Sequence, residues 1–278
     1  MTEFLAIKGG RIAYDVTGEG PLIVLSHGIG DRRQVFRFMV PELARAGFRV
    51  AAADMRGHGE SSTGDWKSIS RTDVAGDLVA LIRHLDGPAV IVGHSISGGA
   101  ATIAAAKQPE LVGGIVEINP FTRVQKPNVG ALLRIRRYRR GALLMAGVQL
   151  LHSLNMWMSY LDLAYPEKPA DYAAYMTALR AKLSEPGRMA EFLKTMKVSP
   201  ADAGAAPPRV SCPALVIMGT EDPDWADPQA EAEGIVAAMP AGLGAVAMIK
   251  GGGHYIHAQC PDEVAVLVTS FLRKRVLA

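Results

Sequence analysis

Short runs of consecutive apolar residues, each followed by a glycine-bearing or charged loop and then a helical pattern, constrain the fold of this chain more than any other feature. Leu22-Ile23-Val24-Leu25, Phe48-Arg49-Val50-Ala51-Ala52 and Ala89-Val90-Ile91-Val92 set the rhythm. Gly114-Ile115-Val116-Glu117-Ile118, Ala214-Leu215-Val216-Ile217-Met218 and Ala245-Val246-Ala247-Met248-Ile249 continue it. A strand with one solvated face alternates apolar and polar residues, so unbroken apolar runs imply burial on both faces, as in a parallel sheet covered by helices on each side. Right-handed crossovers wind such units into one sheet. The fold class expected is therefore α/β, with a mostly parallel, doubly wound sheet. Residues 3 to 16 alternate instead, around Gly9-Gly10, and predict a β-hairpin from Phe4 to Ile7 and Arg11 to Val16. Pro261 to Arg273 reads as a closing helix with proline in its first turn.

The rhythm is interrupted between Phe121 and about Pro208. That stretch is rich in Leu, Met, Ala and Arg at helical spacing, carries Trp157, Tyr160, Tyr172 and Tyr175, and ends in Pro207-Pro208. Several helices forming an inserted cap are expected over 122–207, with 1–121 and 208–278 forming the core. The chain has 278 residues, 49% hydrophobic and 21% charged, with a net charge of +3. This is ordinary globular composition and gives no reason to expect a nucleic-acid partner. Cys212 and Cys260 lack metal or redox spacing and read as free thiols. Glu3 stands where a signal peptide carries positive charge, and the apolar stretch from Gly141 to Leu151 falls short of the roughly 20 residues a spanning helix needs. A cytoplasmic location without membrane contact is the expectation.

Chemistry concentrates first in Val90-Ile91-Val92-Gly93-His94-Ser95-Ile96-Ser97-Gly98-Gly99-Ala100, a buried strand that turns tightly into a helix of small residues. Ser95 stands at the tip. Such a turn needs small neighbours two residues to either side, and Gly93 and Ser97 supply them, although glycine is usual at the second position. A serine hydroxyl is a poor nucleophile at neutral pH, so a base and an orienting acid are required, in the chain order serine, carboxylate, histidine. Gly219-Thr220-Glu221-Asp222-Pro223 follows one strand and Gly251-Gly252-Gly253-His254-Tyr255-Ile256-His257 follows the next. The carboxyl ends of parallel strands share one edge, so these loops converge on Ser95. Alone, an Asp in a turn or a His in a loop is usually inert; three groups in this order and placement are not expected by coincidence. Leu25-Ser26-His27-Gly28-Ile29-Gly30 adds a loop able to aim the Ile29 N–H at a developing oxyanion, with the Ile96 N–H as second donor at a helix N-terminus.

These segments, with Asp54-Met55-Arg56-Gly57-His58-Gly59-Glu60-Ser61 and Pro261-Asp262-Glu263-Val264, give the sequence its similarity to the α/β-hydrolase superfamily over almost its whole length except the cap. The resemblance implies a structural role for the Asp54–Ser61 loop. It also implies that Asp222, three residues past Gly219, is the acid rather than Glu221, Asp224, Asp227 or Glu117. Relatives that are epoxide hydrolases or haloalkane dehalogenases carry Asp at the elbow, against which Ser95 stands. The Ser-x-Ser elbow also resembles hydrolases related to plant strigolactone receptors.

The function expected is cleavage of carboxylic esters or lactones through an acyl-enzyme on Ser95, with His254 as base, Asp222 as acid, Ile29 and Ile96 as the oxyanion hole, and no cofactor. Alternatives using the same groups are a slow ligand receptor, a perhydrolase, a carbon–carbon bond hydrolase or a hydroxynitrile lyase. No glycine-rich nucleotide loop follows a strand, and His254 with His257 lacks the further ligands of a metal site. His257 and His94 are the rival bases. Met156, Trp157 and Tyr160, with Met145 and Met158 nearby, are candidates for an apolar substrate pocket. The basic run Arg134-Ile135-Arg136-Arg137-Tyr138-Arg139-Arg140 is expected to be a solvated helix face, with an acidic partner, an anionic substrate tail or a membrane surface as the alternatives.

Overall fold

The computed structural model describes residues 1–64, 66–124 and 128–277. An 8-stranded sheet has the order β1-β2-β4-β3-β5-β6-β7-β8, where β1 is Glu3–Ile7, β2 Gly10–Thr17, β3 Leu22–Ser26, β4 Arg49–Ala53, β5 Ala89–His94, β6 Val112–Ile118, β7 Ala214–Gly219 and β8 Gly244–Ile249. β1 and β2 form the expected antiparallel hairpin and β2 pairs antiparallel with β4; every other pairing is parallel.

Successive side chains of the inner strands enter opposite cores. Val24, Ile91 and Val216 pack on one side with the helices Arg71–His84 and Ile96–Lys107. Ile23, Leu25, Val92 and Ile217 pack on the other with Met39–Arg45 and Pro261–Phe271. This is the two-sided burial that the apolar runs imply. β8 departs from it: only Ile249 is fully buried, because the strand lies at the sheet edge. The closing helix Pro261–Phe271 continues into a π-helical turn at Leu272–Val276.

Between β6 and β7 the described residues form the helices Val129–Arg134, Arg136–Leu151, Leu154–Ala164, Tyr172–Leu183, Arg188–Met196 and Ala201–Gly204. This cap is tied to the sheet's loops through polar contacts. Arg37 Nη2 donates to Asp171 at 2.5 Å, Tyr175 Oη to Asp31 at 2.5 Å, and Arg188 Nη1 to the Ser61 carbonyl at 2.6 Å. No helix among the described residues is long and apolar enough to cross a membrane.

Candidate active site

Ser95 links β5 to the helix Ile96–Lys107 with φ +56° and ψ −119°, a conformation an L-residue holds only at a cost of roughly 1–3 kcal/mol. Three backbone bonds hold it there: Ser95 N donates to Ile118 O at 2.9 Å, while Ser95 O accepts from Gly98 N at 3.0 Å and Phe121 N at 3.1 Å. Strand and helix approach so closely that a methyl group at Gly93 would overlap the Ser97 carbonyl. The serine at 97 has its own role. Its buried hydroxyl donates to His27 O at 2.6 Å and lies 2.8 Å from Ser26 Oγ, fastening the elbow to the loop after β3. A glycine there would leave both unanchored.

That loop is shaped by His27. Its Nε2 accepts from Met55 N at 3.0 Å, so Nδ1 carries the hydrogen and donates to Gly28 O at 2.7 Å. Burial pushes its pKa down to about 4 and keeps the ring neutral. Asp54 accepts from Arg33 N at 2.6 Å, from Glu60 N at 2.8 Å and from the Arg33 guanidinium, which gives the Asp54–Ser61 loop its structural character. Ile29 and Ile96 both face the cavity that Ser95 lines, and neither backbone N–H donates a hydrogen bond among the described residues.

His254 is fixed at backbone and ring. Its N–H donates to Ala164 O at 2.9 Å; its carbonyl accepts from His94 Nε2 at 2.9 Å and Asn119 Nδ2 at 2.8 Å. The preceding Gly253 lies so close to Ala164 O and Pro166 that any side chain would collide. The ring's Nδ1 is 2.8 Å from Asp222 Oδ2. Asp222 Oδ1 accepts from Asp224 N at 2.9 Å, and Asp224 Oδ2, itself 3.4 Å from His254 Nδ1, accepts from Tyr160 Oη at 2.6 Å. Burial favours a neutral His254, but the carboxylates of Asp222 and Asp224 outweigh it and raise the pKa above the ordinary imidazole value. Burial likewise raises Asp224. Ser95 and His254 line the same cavity, yet no hydrogen bond joins them among the described residues; such contacts often tighten only with substrate bound.

Of the rival acids, Asp224 also flanks the His254 ring, whereas the others lie elsewhere. Glu117 accepts from Thr102 and, at 2.9 Å, from Thr122; Glu221 pairs with Arg137; Asp227 caps the helix Pro228–Ala237. His94 packs against His254 with ring centroids 4.7 Å apart and planes tilted by 54°, and His257 packs against His94 and Phe36. Asp222, Asp224 and His254 bring ligand atoms within 4.8 Å of one another. Those atoms are already engaged with one another, with Tyr160 or with a backbone amide, so a cation there would have to displace these bonds.

The cavity of about 420 Å³ is walled by Trp157 and Tyr160, stacked 5.1 Å apart, and by Met145, Phe121 and Met196. Met156 is not among its lining residues. It packs instead on Gly147 between the helices Arg136–Leu151 and Leu154–Ala164, where the absent side chain leaves room for its thioether. The basic run also differs from a uniformly solvated face. Arg134, Arg136, Arg139 and Arg140 are exposed, but Arg137 turns inward. Its Nη1 donates to Trp225 O at 2.8 Å and Asp222 O at 3.3 Å, its Nη2 to Thr220 O at 3.3 Å, and its Nε lies 3.3 Å from Glu221. This clamp is not apparent in the sequence, nor is the role of Asn119, which also accepts from Gly219 N at 2.9 Å and so joins the loops of Asp222 and His254. Neither belongs to a local pattern.

Residues 23–267 match the Alpha/beta hydrolase family. The 2-(acetamidomethylene)succinate hydrolase of Mesorhizobium japonicum is 29% identical over 95% of this chain and 92% of its own. Among solved structures, a serine hydrolase involved in carbazole degradation superposes with a TM-score of 0.78 at 22% identity, covering 99% of both chains. An esterase from Thermogutta terrifontis gives 0.71 at 24%, covering 98% of both. The match over most of its length, on an eight-stranded sheet wound in this order, makes the chain a member of the alpha/beta hydrolase family.

Proposed function

We propose that this protein is a serine hydrolase that cleaves small to medium carboxylic esters or lactones through an acyl-enzyme on Ser95. The observation that carries the reading is the Asp222–His254 hydrogen bond of 2.8 Å on a cavity whose wall also holds the strained Ser95. In this reading His254 Nε2 takes the Ser95 proton as Oγ attacks the carbonyl carbon. The oxyanion gathers the free N–H groups of Ile29 and Ile96, and collapse expels the alkoxide with the proton returned by His254. Water activated by the same imidazole then releases the acid. Asp222 holds the ring and stabilises its cationic form. Segments 1–121 and 208–278 supply the reacting groups, and the cap 122–207 supplies most of the pocket wall.

The Mesorhizobium relative is named for a succinate derivative. Carboxylate-bearing acyl compounds therefore belong in the first screen beside neutral p-nitrophenyl esters and lactones. Wild-type protein is expected to turn over many times on at least one of these, and Ser95→Ala to lose at least about 10³-fold in kcat while remaining folded. Equal turnover by the Ala variant, or none by the wild type across the panel, would overturn the reading.

A further inference from the structure

One charged group on the cavity wall is used by none of these steps. Arg71 begins the helix Arg71–His84, where a capping box fixes it: Asp73 N donates to Ser70 Oγ at 3.1 Å and Ser70 N to Asp73 Oδ2 at 2.9 Å. From there its side chain runs along the first turn of the Ser95 helix, against Gly99, and reaches the cavity that Ser95 lines. The side chain is only 5% exposed.

Its hydrogen bonding is incomplete. Nε donates to Phe121 O at 2.7 Å, while Nη1 is buried with no hydrogen-bond partner and Nη2 has none among the described residues. The nearest acid oxygen, Asp202 Oδ1, stands 3.8 Å from Nη1, beyond hydrogen-bond reach, and is itself buried and unpartnered. The other oxygen of Asp202 is held by Thr72 N at 3.0 Å and Thr72 Oγ1 at 3.3 Å, which keeps the carboxylate from closing on the arginine. The cavity wall that Arg71 shares is largely apolar, with Ile96, Phe121, Met196, Val198 and Pro200 among its lining residues. Burial lowers its pKa to about 10, so it remains a cation at neutral pH. Asp202 thus balances the charge at ion-pair distance without taking up the N–H groups, and a planar guanidinium with unpaired N–H groups matches a carboxylate.

We propose that Arg71 is the carboxylate-binding residue of this cavity, and that the preferred substrate is an ester or lactone carrying a second, free carboxylate that seats on the Arg71 guanidinium. The inference rests on the reading of Ser95 as nucleophile. It also fixes orientation: docking of the remote carboxylate holds the scissile carbonyl at Ser95, so the binding energy of one end is used to position the other.

The test compares monoethyl esters of dicarboxylic acids, from succinate to suberate, with ethyl esters of the monocarboxylic acids of equal chain length. The wild type is expected to favour the best anionic ester over its neutral counterpart by at least about tenfold in kcat/KM, and Arg71→Gln to reduce that ratio by at least about tenfold, chiefly through KM. Arg71→Lys, which keeps the charge and loses the fork, should recover part of it. Binding is read separately, by the rise in melting temperature that monoethyl adipate produces in Ser95→Ala and fails to produce in Ser95→Ala/Arg71→Gln. Turnover of neutral esters with no anionic preference overturns the carboxylate site and leaves the serine hydrolase reading standing. Arg71-dependent binding without turnover of any ester overturns the latter and leaves the site. A ratio unchanged by Arg71→Gln contradicts the proposal even where an anionic preference exists.

Discussion

Asp222 and Asp224 share one imidazole, and their two hydrogen-bond sets divide their work. Asp222 spends both oxygens locally, on His254 Nδ1 and the Asp224 N–H, and so fixes where the ring points. Asp224 is anchored by Tyr160 and stands 3.4 Å from the same nitrogen, so it acts on the ring mainly through its charge. Both favour imidazolium. In the proposed reaction His254 must be neutral to accept the Ser95 proton, so activity should fall as pH drops through a pKa that the carboxylates hold above the ordinary value near 6.5. Asp224→Asn removes one of the two charges, which lowers the His254 pKa and moves the acidic limb of the kcat/KM profile to lower pH. Asp222→Asn should instead cost orders of magnitude at every pH, because the ring loses its acceptor. A pH–rate profile of each variant separates the two roles; an acidic limb that stays in place in Asp224→Asn contradicts this division.

At the scale of elements, the helix Arg136–Leu151 reaches the loop after β7 through Arg137 alone of its arginines, and three carbonyls of that loop accept from the one guanidinium. Arg137→Gln should therefore loosen the loop that carries Asp222 and lower kcat on a neutral ester by roughly 10- to 100-fold, the scale of a small misplacement of a reacting group. Replacing Arg136, Arg139 and Arg140 by Gln should leave the rate within about twofold, as expected of exposed charges. High salt discriminates further, because a solvated charge is screened and a clamp of short contacts is not. The contrast shows what was legible in the sequence. The strands, the elbow, and the order Ser95, Asp222, His254 follow from contiguous patterns, each a strand with its own loop. Arg137, Asn119, Asp224 and Arg71 act across elements far apart in sequence, so no local pattern singles them out. Met156 departs from the pocket expectation for the same reason: residue type alone suggested it, whereas the neighbouring helix, open at Gly147, takes up its side chain.

For the molecule as a whole, the sheet carries the loops of Ser95, Asp222 and His254 and buries a carboxyl group within one of its strands. Glu117 lies in β6 with its carboxyl fully buried, and burial raises its pKa to about 7. In the unfolded chain the group titrates near 4.3, so the folded state binds the proton more tightly and its stability should decline as pH rises from about 4 through about 7. Glu117→Gln abolishes that loss. Its melting temperature should exceed that of the wild type at pH 8 by several degrees and differ little at pH 4; a gap that is the same at both values contradicts the assignment. None of this depends on catalysis, which has its own direct assay. Fluorophosphonate labelling, followed by peptide mass mapping, reads whether one serine is activated and by what. A single adduct on Ser95 is expected in the wild type, its rate of formation falling by roughly 10³-fold or more in His254→Ala and little changed in folded His257→Ala. An adduct on another serine, or labelling of Ser95 that proceeds equally fast without His254, would contradict it.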